Sequence, residues 1–210
     1  FSINQLSGQR TCAKGYRRAG MILRGELVDV CGGGTSQFGT TTFNAAFFAG
    51  LPLDQWKAHS WYFTRYPMGR EATLNYPELD VKFTNSTDGA VIVRTTYTAS
   101  SITVSLYGRP IAESVSATHS GAFNHRPAPE ERRDDPEMCE GETRVADSGA
   151  GGFSVNVVRE VSLLDGSTDR REINTVYVPQ ARIVDVGTKD CTPDEDDDED
   201  EDEDDGDGDD

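Results

Sequence analysis

The chain predicts an α+β fold, a central helix packed on a mainly antiparallel sheet with a small β-module appended, and three patterns predict it. Between residues 36 and 49, Phe38, Thr41, Thr42, Ala45, Ala46 and Ala49 recur at three- and four-residue spacings, the period of a helix. From Trp61 onward the period falls to two, in runs rich in β-branched and aromatic residues. Further on, Asp165-Gly166 separates two strand-like runs, and Asp-Gly supplies the positive φ angles that a two-residue hairpin turn needs.

Taken in order, the first feature is the run Gly32-Gly33-Gly34-Thr35-Ser36-Gln37, which opens straight into the helical pattern. Three glycines let a backbone turn sharply and approach another group closely, so Ser36 is expected at a helix N-terminus facing a cleft. Phe43, Phe47 and Phe48 widen the apolar surface of the helix, which should therefore be buried on most sides, and Gly50 with Pro52 stops it. Strands are expected over 61–66, 79–84, 90–97 and 102–107, with turn clusters such as Asn85-Ser86-Thr87-Asp88-Gly89 between them. Residues 109–152 are polar, hold Pro127, Pro129 and Pro136, and read as a linker or surface excursion. Then come the hairpin of 153–164 and 170–178 and a third short strand over 183–186. This divides the chain into a domain of 1–108, the excursion 109–152, a β-module of 153–193 and an acidic tail of 194–210 expected to be disordered.

Charge and length narrow the function classes. Of the 37 acids behind the net charge of −17, the tail holds 15, leaving 22 against 20 Lys plus Arg, so the body is nearly neutral. No basic stripe is interleaved with aromatics, which excludes nucleic acid as the expected partner. No apolar run approaches the roughly 20 residues of a membrane span, so membrane attachment is expected only through segments upstream of Phe1. The tail lacks the spacing of a calcium loop and reads as a solvating segment that would repel polyanions. No metal site and no cofactor is expected. Cys12, Cys31, Cys139 and Cys191 show no C-x-x-C pair and no nearby histidines, which argues against zinc. They separate into an early and a late pair, favouring Cys12 with Cys31 and Cys139 with Cys191; four reduced thiols are the alternative.

With these residues laid out, the stretch from Phe1 to Gly108 resembles the VanW family of bacterial cell-envelope proteins. The pieces that carry the resemblance are Phe1-Ser2-Ile3-Asn4, Gly8-Gln9-Arg10-Thr11, Lys14-Gly15-Tyr16, GGGTSQFGTTTFNAAFFAGL from Gly32, His59-Ser60, RYPMGREATL from Arg65 and LDVKFTN from Leu79. The later run Thr175-Val176-Tyr177-Val178-Pro179, leading to Val186-Gly187-Thr188, is similar to the small five-glycine modules that accompany VanW domains. The resemblance implies an exported protein, extracellular, wall-bound or membrane-anchored at the cell surface, and no particular reaction. Many relatives carry Cys where this chain has Ser36, and Asp where it has Glu71.

The glycine motif is also similar, more loosely, to transglutaminase-like and papain-like cores, which implies Ser36 as nucleophile, His59 as base and Glu71 as its orienter, with backbone amides around Gln37 as oxyanion donors. His59 is the sole histidine of the first domain and so its base candidate near neutral pH. Each residue also has a structural alternative: Ser36 or Thr35 as an N-cap, His59 as a hydrogen-bonded residue at a strand entrance, and Arg65, Arg70 and Glu71 as an ion-paired turn. Two function classes stay open. A binding or scaffolding module would take peptidoglycan or its stem peptides beneath the glycine loop through Gly33, Gly34, Gln37, Arg65 and Arg70, the two arginines holding a carboxylate. An enzyme would carry out acyl transfer or amide hydrolysis on peptidoglycan peptides through Ser36 and His59.

Overall fold

The computed structural model describes residues 1–23 and 26–192; the acidic stretch 194–210, expected to be disordered, lies outside the described residues. In chain order the elements are α1 (Ile3–Ser7), a 3-10 turn (Cys12–Lys14), β1 (Arg18–Leu23), β2 (Glu26–Cys31), α2 (Ser36–Phe48), β3 (Leu53–Gln55), β4 (Lys82–Phe83), β5 (Ile92–Tyr97), β6 (Ile102–Tyr107), β7 (Ala112–His119), β8 (Phe123–Arg126), β9 (Glu130–Cys139), β10 (Thr143–Asp147), β11 (Gly152–Leu163), β12 (Thr168–Tyr177) and β13 (Arg182–Lys189). The α+β expectation is overturned: strand makes up 47% and helix 11%, and α2 is not laid on one sheet but surrounded by several small ones.

The correction has two causes. Residues 61–66, expected as a strand, stay irregular, because their aromatic residues pack around a histidine rather than along a pleat: Tyr66 stacks on His59 with ring centroids 5.2 Å apart, and Tyr62 leans on Tyr177 at 5.2 Å. Residues 109–152, expected as linker or excursion, carry strands β7 to β10, whose side chains are mostly exposed or half-buried and so leave a polar sequence.

The chain forms two compact units. The first comprises Phe1–Pro129 and Gly149–Gln180. Its core is built on α2: Phe43, Ala46 and Phe47 pack with Ile3, Leu53, Leu74 and Phe83 and also with Val157 of β11 and Ile173 of β12. Gly50, at φ 78°, turns the chain out of α2. The C-terminus of α2 and the turn after it receive a cation, since Arg159 of β11, 1% exposed, donates from Nε to Phe47 O at 3.0 Å and from Nη2 to Leu51 O at 3.1 Å. The long antiparallel sheet runs β12-β11-β7, with β11–β12 in continuous register from Phe153↔Tyr177 to Ser162↔Thr168 around the expected Asp165-Gly166 turn.

The second unit comprises Glu130–Ser148 and the chain from Ala181. Its sheet runs β10-β13-β9, antiparallel on one side of β13 and parallel on the other. Val184 and Asp185 are buried in it. So small an apolar interior needs other ties. Arg133 grips Asp185 Oδ1 through Nε at 3.0 Å and Nη2 at 2.7 Å, Arg144 bridges Asp185 and Asp135, and Cys139 is joined to Cys191. In the first unit Cys12 is joined to Cys31, which pins the 3-10 turn to the end of β2 just before the glycine loop.

Candidate functional site

The glycine loop is shaped by contacts only glycine allows. Gly32 and Gly34 sit at φ 83° and 76°, and a Cβ on Gly33 would lie 1.8 Å from the carbonyl oxygen of Ala19 on β1. The loop closes through Gly33 N to Val30 O at 3.0 Å and Thr35 Oγ1 to Gly32 O at 2.8 Å. Neither Thr35 nor Ser36 caps the helix: Thr35 is the N-cap position without a side-chain cap bond, and the Ser36 oxygen accepts elsewhere. The amide of Gln37, expected as an oxyanion donor, is spent on Gly34 O at 3.1 Å.

Ser36 belongs to a polar stripe. Ser36, Thr40 and Asn44 recur every four residues and so share one face of α2. That face hydrogen-bonds the backbone of an irregular segment running alongside: Ser36 Oγ accepts from Leu74 N at 3.0 Å, Thr40 Oγ1 accepts from Ala72 N at 3.1 Å and donates to Ala72 O at 3.2 Å, and Asn44 Nδ2 donates to Arg70 O at 2.9 Å. Side chains here do the work of a partner strand. A Cβ on Gly39 would meet Leu74 Cγ at 2.7 Å, so the glycine lets the segment close on the helix.

The segment delivers Glu71 to a fully buried position, where its carboxyl takes two donors. His59 Nδ1 lies 2.5 Å from Oε2, and the hydroxyl of Tyr177 donates to Oε1 at 2.5 Å. Tyr177, on β12, also accepts from Gly69 N at 2.9 Å. Burial first, and then the bond to Glu71, push the Tyr177 phenol far above its ordinary value, so it stays a donor. The Tyr66 phenol beside His59 is also raised, chiefly by burial.

A cavity of about 400 Å³ opens beside this chain of bonds, lined by Gly34, Ser36, Lys57, His59, Arg65 and Tyr66 among others. It brings together Ser36, His59, Gly34 and Arg65 of the residues expected to act. No hydrogen bond joins Ser36 to His59 among the described residues; Nδ1 of His59 goes to Glu71, and Ser36 to Leu74. Gly33, Gln37 and Arg70 do not line the cavity. Arg70 turns to the other side, where it donates to Asn44 Oδ1 at 3.2 Å and lies 4.9 Å over the Phe48 ring. The expected ion-paired turn of Arg65, Arg70 and Glu71 is therefore absent among the described residues. Tyr177 was missed because it lies more than a hundred residues from Glu71, in a β-module with no sequence link to the glycine loop; the Ser36–Thr40–Asn44 spacing was visible and marks the docked segment.

Two family models match successive stretches of the chain, and the second spans residues of both compact units. The family model described as VanW like protein matches residues 1–107, and the model of the G5 domain matches 124–189. The uncharacterized protein YoaR of Bacillus subtilis (strain 168) is 36% identical over 114 residues, which cover 54% of this chain and 38% of that protein. The chain thus matches well under half the length of this relative. Among solved structures, the IgA1 protease G5 domain is 21% identical, covers 50% of this chain and 96% of its own, and has a TM-score of 0.25. The HP0197-G5 structure is 26% identical, covers 36% of this chain and 100% of its own, and has a TM-score of 0.22. Tyr177, which holds the VanW-region Glu71, falls within the stretch matched by the G5 model. With a matching model across half its length, the chain belongs to the VanW family, carrying a G5 domain after it.

Proposed function

We propose that this cell-envelope-associated protein is a peptidoglycan-associated binding or scaffolding module that takes a carboxylate-bearing wall peptide into the cavity beneath the glycine loop. The observation that carries this is the engagement of Ser36. Its oxygen serves the Leu74 amide as one rung of the α2 stripe, with no base bonded to it among the described residues, so it is built as structure rather than as a nucleophile. Arg65 and Lys57, both exposed at the cavity wall, supply the cations a peptide carboxylate needs. Arg70 is not part of this clamp.

The test is co-sedimentation with purified peptidoglycan sacculi, alongside titration of soluble muropeptides. Saturable binding should weaken in Arg65→Ala and in Lys57→Ala with the thermal melt unchanged. Equal binding by both variants, or none by the wild type, rejects the proposal.

A catalytic alternative has one observation in its favour: His59 is oriented through Nδ1 by a buried carboxyl and lines the cavity, the arrangement of a general base. Ser36→Cys separates the two. A thiol paired with His59 should alkylate near neutral pH and slow in His59→Ala. A thiol that only replaces the rung should label no faster than an ordinary surface cysteine.

A further inference from the structure

A second opening lies on the far side of residues 57–60. Among the described residues β12 is the outer strand of its sheet, with β11 along one edge. The other edge faces the segment 53–60, which runs in the same direction and is tied to it at both ends: Arg171 Nη1 donates to Leu53 O at 3.0 Å, and Val178 N donates to Ser60 O at 2.8 Å. Between these ties a cavity of about 570 Å³ opens, lined by Trp56, Lys57 and His59 on one wall and by Glu172, Asn174 and Val176 on the other.

The β12 wall is an open ladder. In an antiparallel pair, alternate residues turn both their N–H and C=O groups away from the partner strand. Val178 N points away from β11, toward Ser60, so Val176, Asn174 and Glu172 turn their backbone groups the same way. None of those three amides has a partner across the cavity among the described residues. An edge of this kind is completed by an extended peptide added as another strand. The opposite wall supplies the sign of charge, since Lys57 is exposed and has no ion pair among the described residues.

We propose that the groove between β12 and residues 56–60 binds an extended L-peptide segment of a partner protein as an added β-strand, with an acidic side chain set against Lys57. This groove shares Lys57 and His59 with the glycine-loop cavity but holds its ligand by the β12 backbone edge, so it does not depend on the ligand proposed there.

The probe is a fluorescent synthetic peptide, Thr-Val-Thr-Glu-Val-Thr-Val, measured by anisotropy against the full chain, with amide hydrogen exchange read at the same time. Saturable binding should slow exchange at Glu172, Asn174 and Val176 in particular. Asn174→Pro, which removes one outward donor, should weaken it about tenfold or more, and Lys57→Glu should favour the probe carrying Lys in place of Glu. Protection elsewhere, no binding, or equal binding of an all-Asp peptide overturns the proposal. So does a dimer in which the same amides are protected without peptide, because the edge would then belong to a second copy. Should Asn174→Pro fail to fold, the exchange pattern of the wild type decides alone.

Discussion

At the residue scale, Glu71 determines what its neighbours can do. A fully buried carboxyl with two donors is costly to disturb, because whichever donor is removed leaves an acceptor without water or partner. Tyr177→Phe should therefore destabilise the fold by about 1–3 kcal/mol, read from urea melts. The same residue carries a pH signature. Unfolded, the phenol ionises near 10; folded, its value is raised, so the folded chain holds the proton longer. Its contribution is complete below pH 10 and declines as pH rises past it, and Tyr177→Phe should flatten the alkaline limb of a stability–pH curve. Ser36→Ala, which leaves the Leu74 amide unpaired, should cost about 1 kcal/mol while wall binding persists.

At the element scale, α2 is held by different means at its two ends and along its side. The glycine loop presses against β1 at its start, so Gly33→Ala should displace the loop from Ala19 and cost about 1–3 kcal/mol, with wall binding falling further than the melt alone accounts for. At its end, the buried Arg159 binds two carbonyls and lies 5.1 Å over the Phe47 ring. Desolvation lowers the affinity of that guanidinium for its proton, yet the helix terminus and carbonyls hold it as a cation. Arg159→Ala removes both bonds and the packing under them, and should destabilise by about 2–4 kcal/mol in chemical denaturation. Arg159→Lys should recover little of this, since one ammonium cannot reproduce the guanidinium fork.

At the scale of the whole molecule, the two units have different sources of stability. The first has an apolar core, whereas the second rests on Cys139–Cys191 and on Asp185 between Arg133 and Arg144. Those arginines, Arg133 first, hold the Asp185 carboxyl below its usual range. Its contribution is therefore present above the ordinary aspartate value of 3.8 and lost as pH falls below it. Amide protection factors, taken relative to intrinsic exchange at each pH, should fall in β9 and β13 on acidification before they fall in β11, and Asp185→Asn should remove that difference. Reduction should act in the same order, each disulfide contributing about 2–4 kcal/mol.

Local chemistry determined the helix Ser36–Phe48, the strand Ile102–Tyr107, the Asp165-Gly166 hairpin and the glycine loop, because each follows from residues close in sequence, whereas the cysteine spacing favoured the two pairs without fixing them. The resemblance also singled out His59 and Glu71. The tertiary structure decided what those residues meet. Period-two aromatics at 61–66 became a cluster around His59 once Tyr177 arrived from β12, and polar runs between 112 and 147 became strands because pairing, not burial, holds them. Ser36 ended as a rung for Leu74 because the docked backbone of 70–74 needed donors and acceptors that no strand supplied. The four-residue spacing of Ser36, Thr40 and Asn44 marks one side of that contact, but nothing periodic marks its partner or Tyr177, so which backbone groups they meet is settled only when the chain has folded.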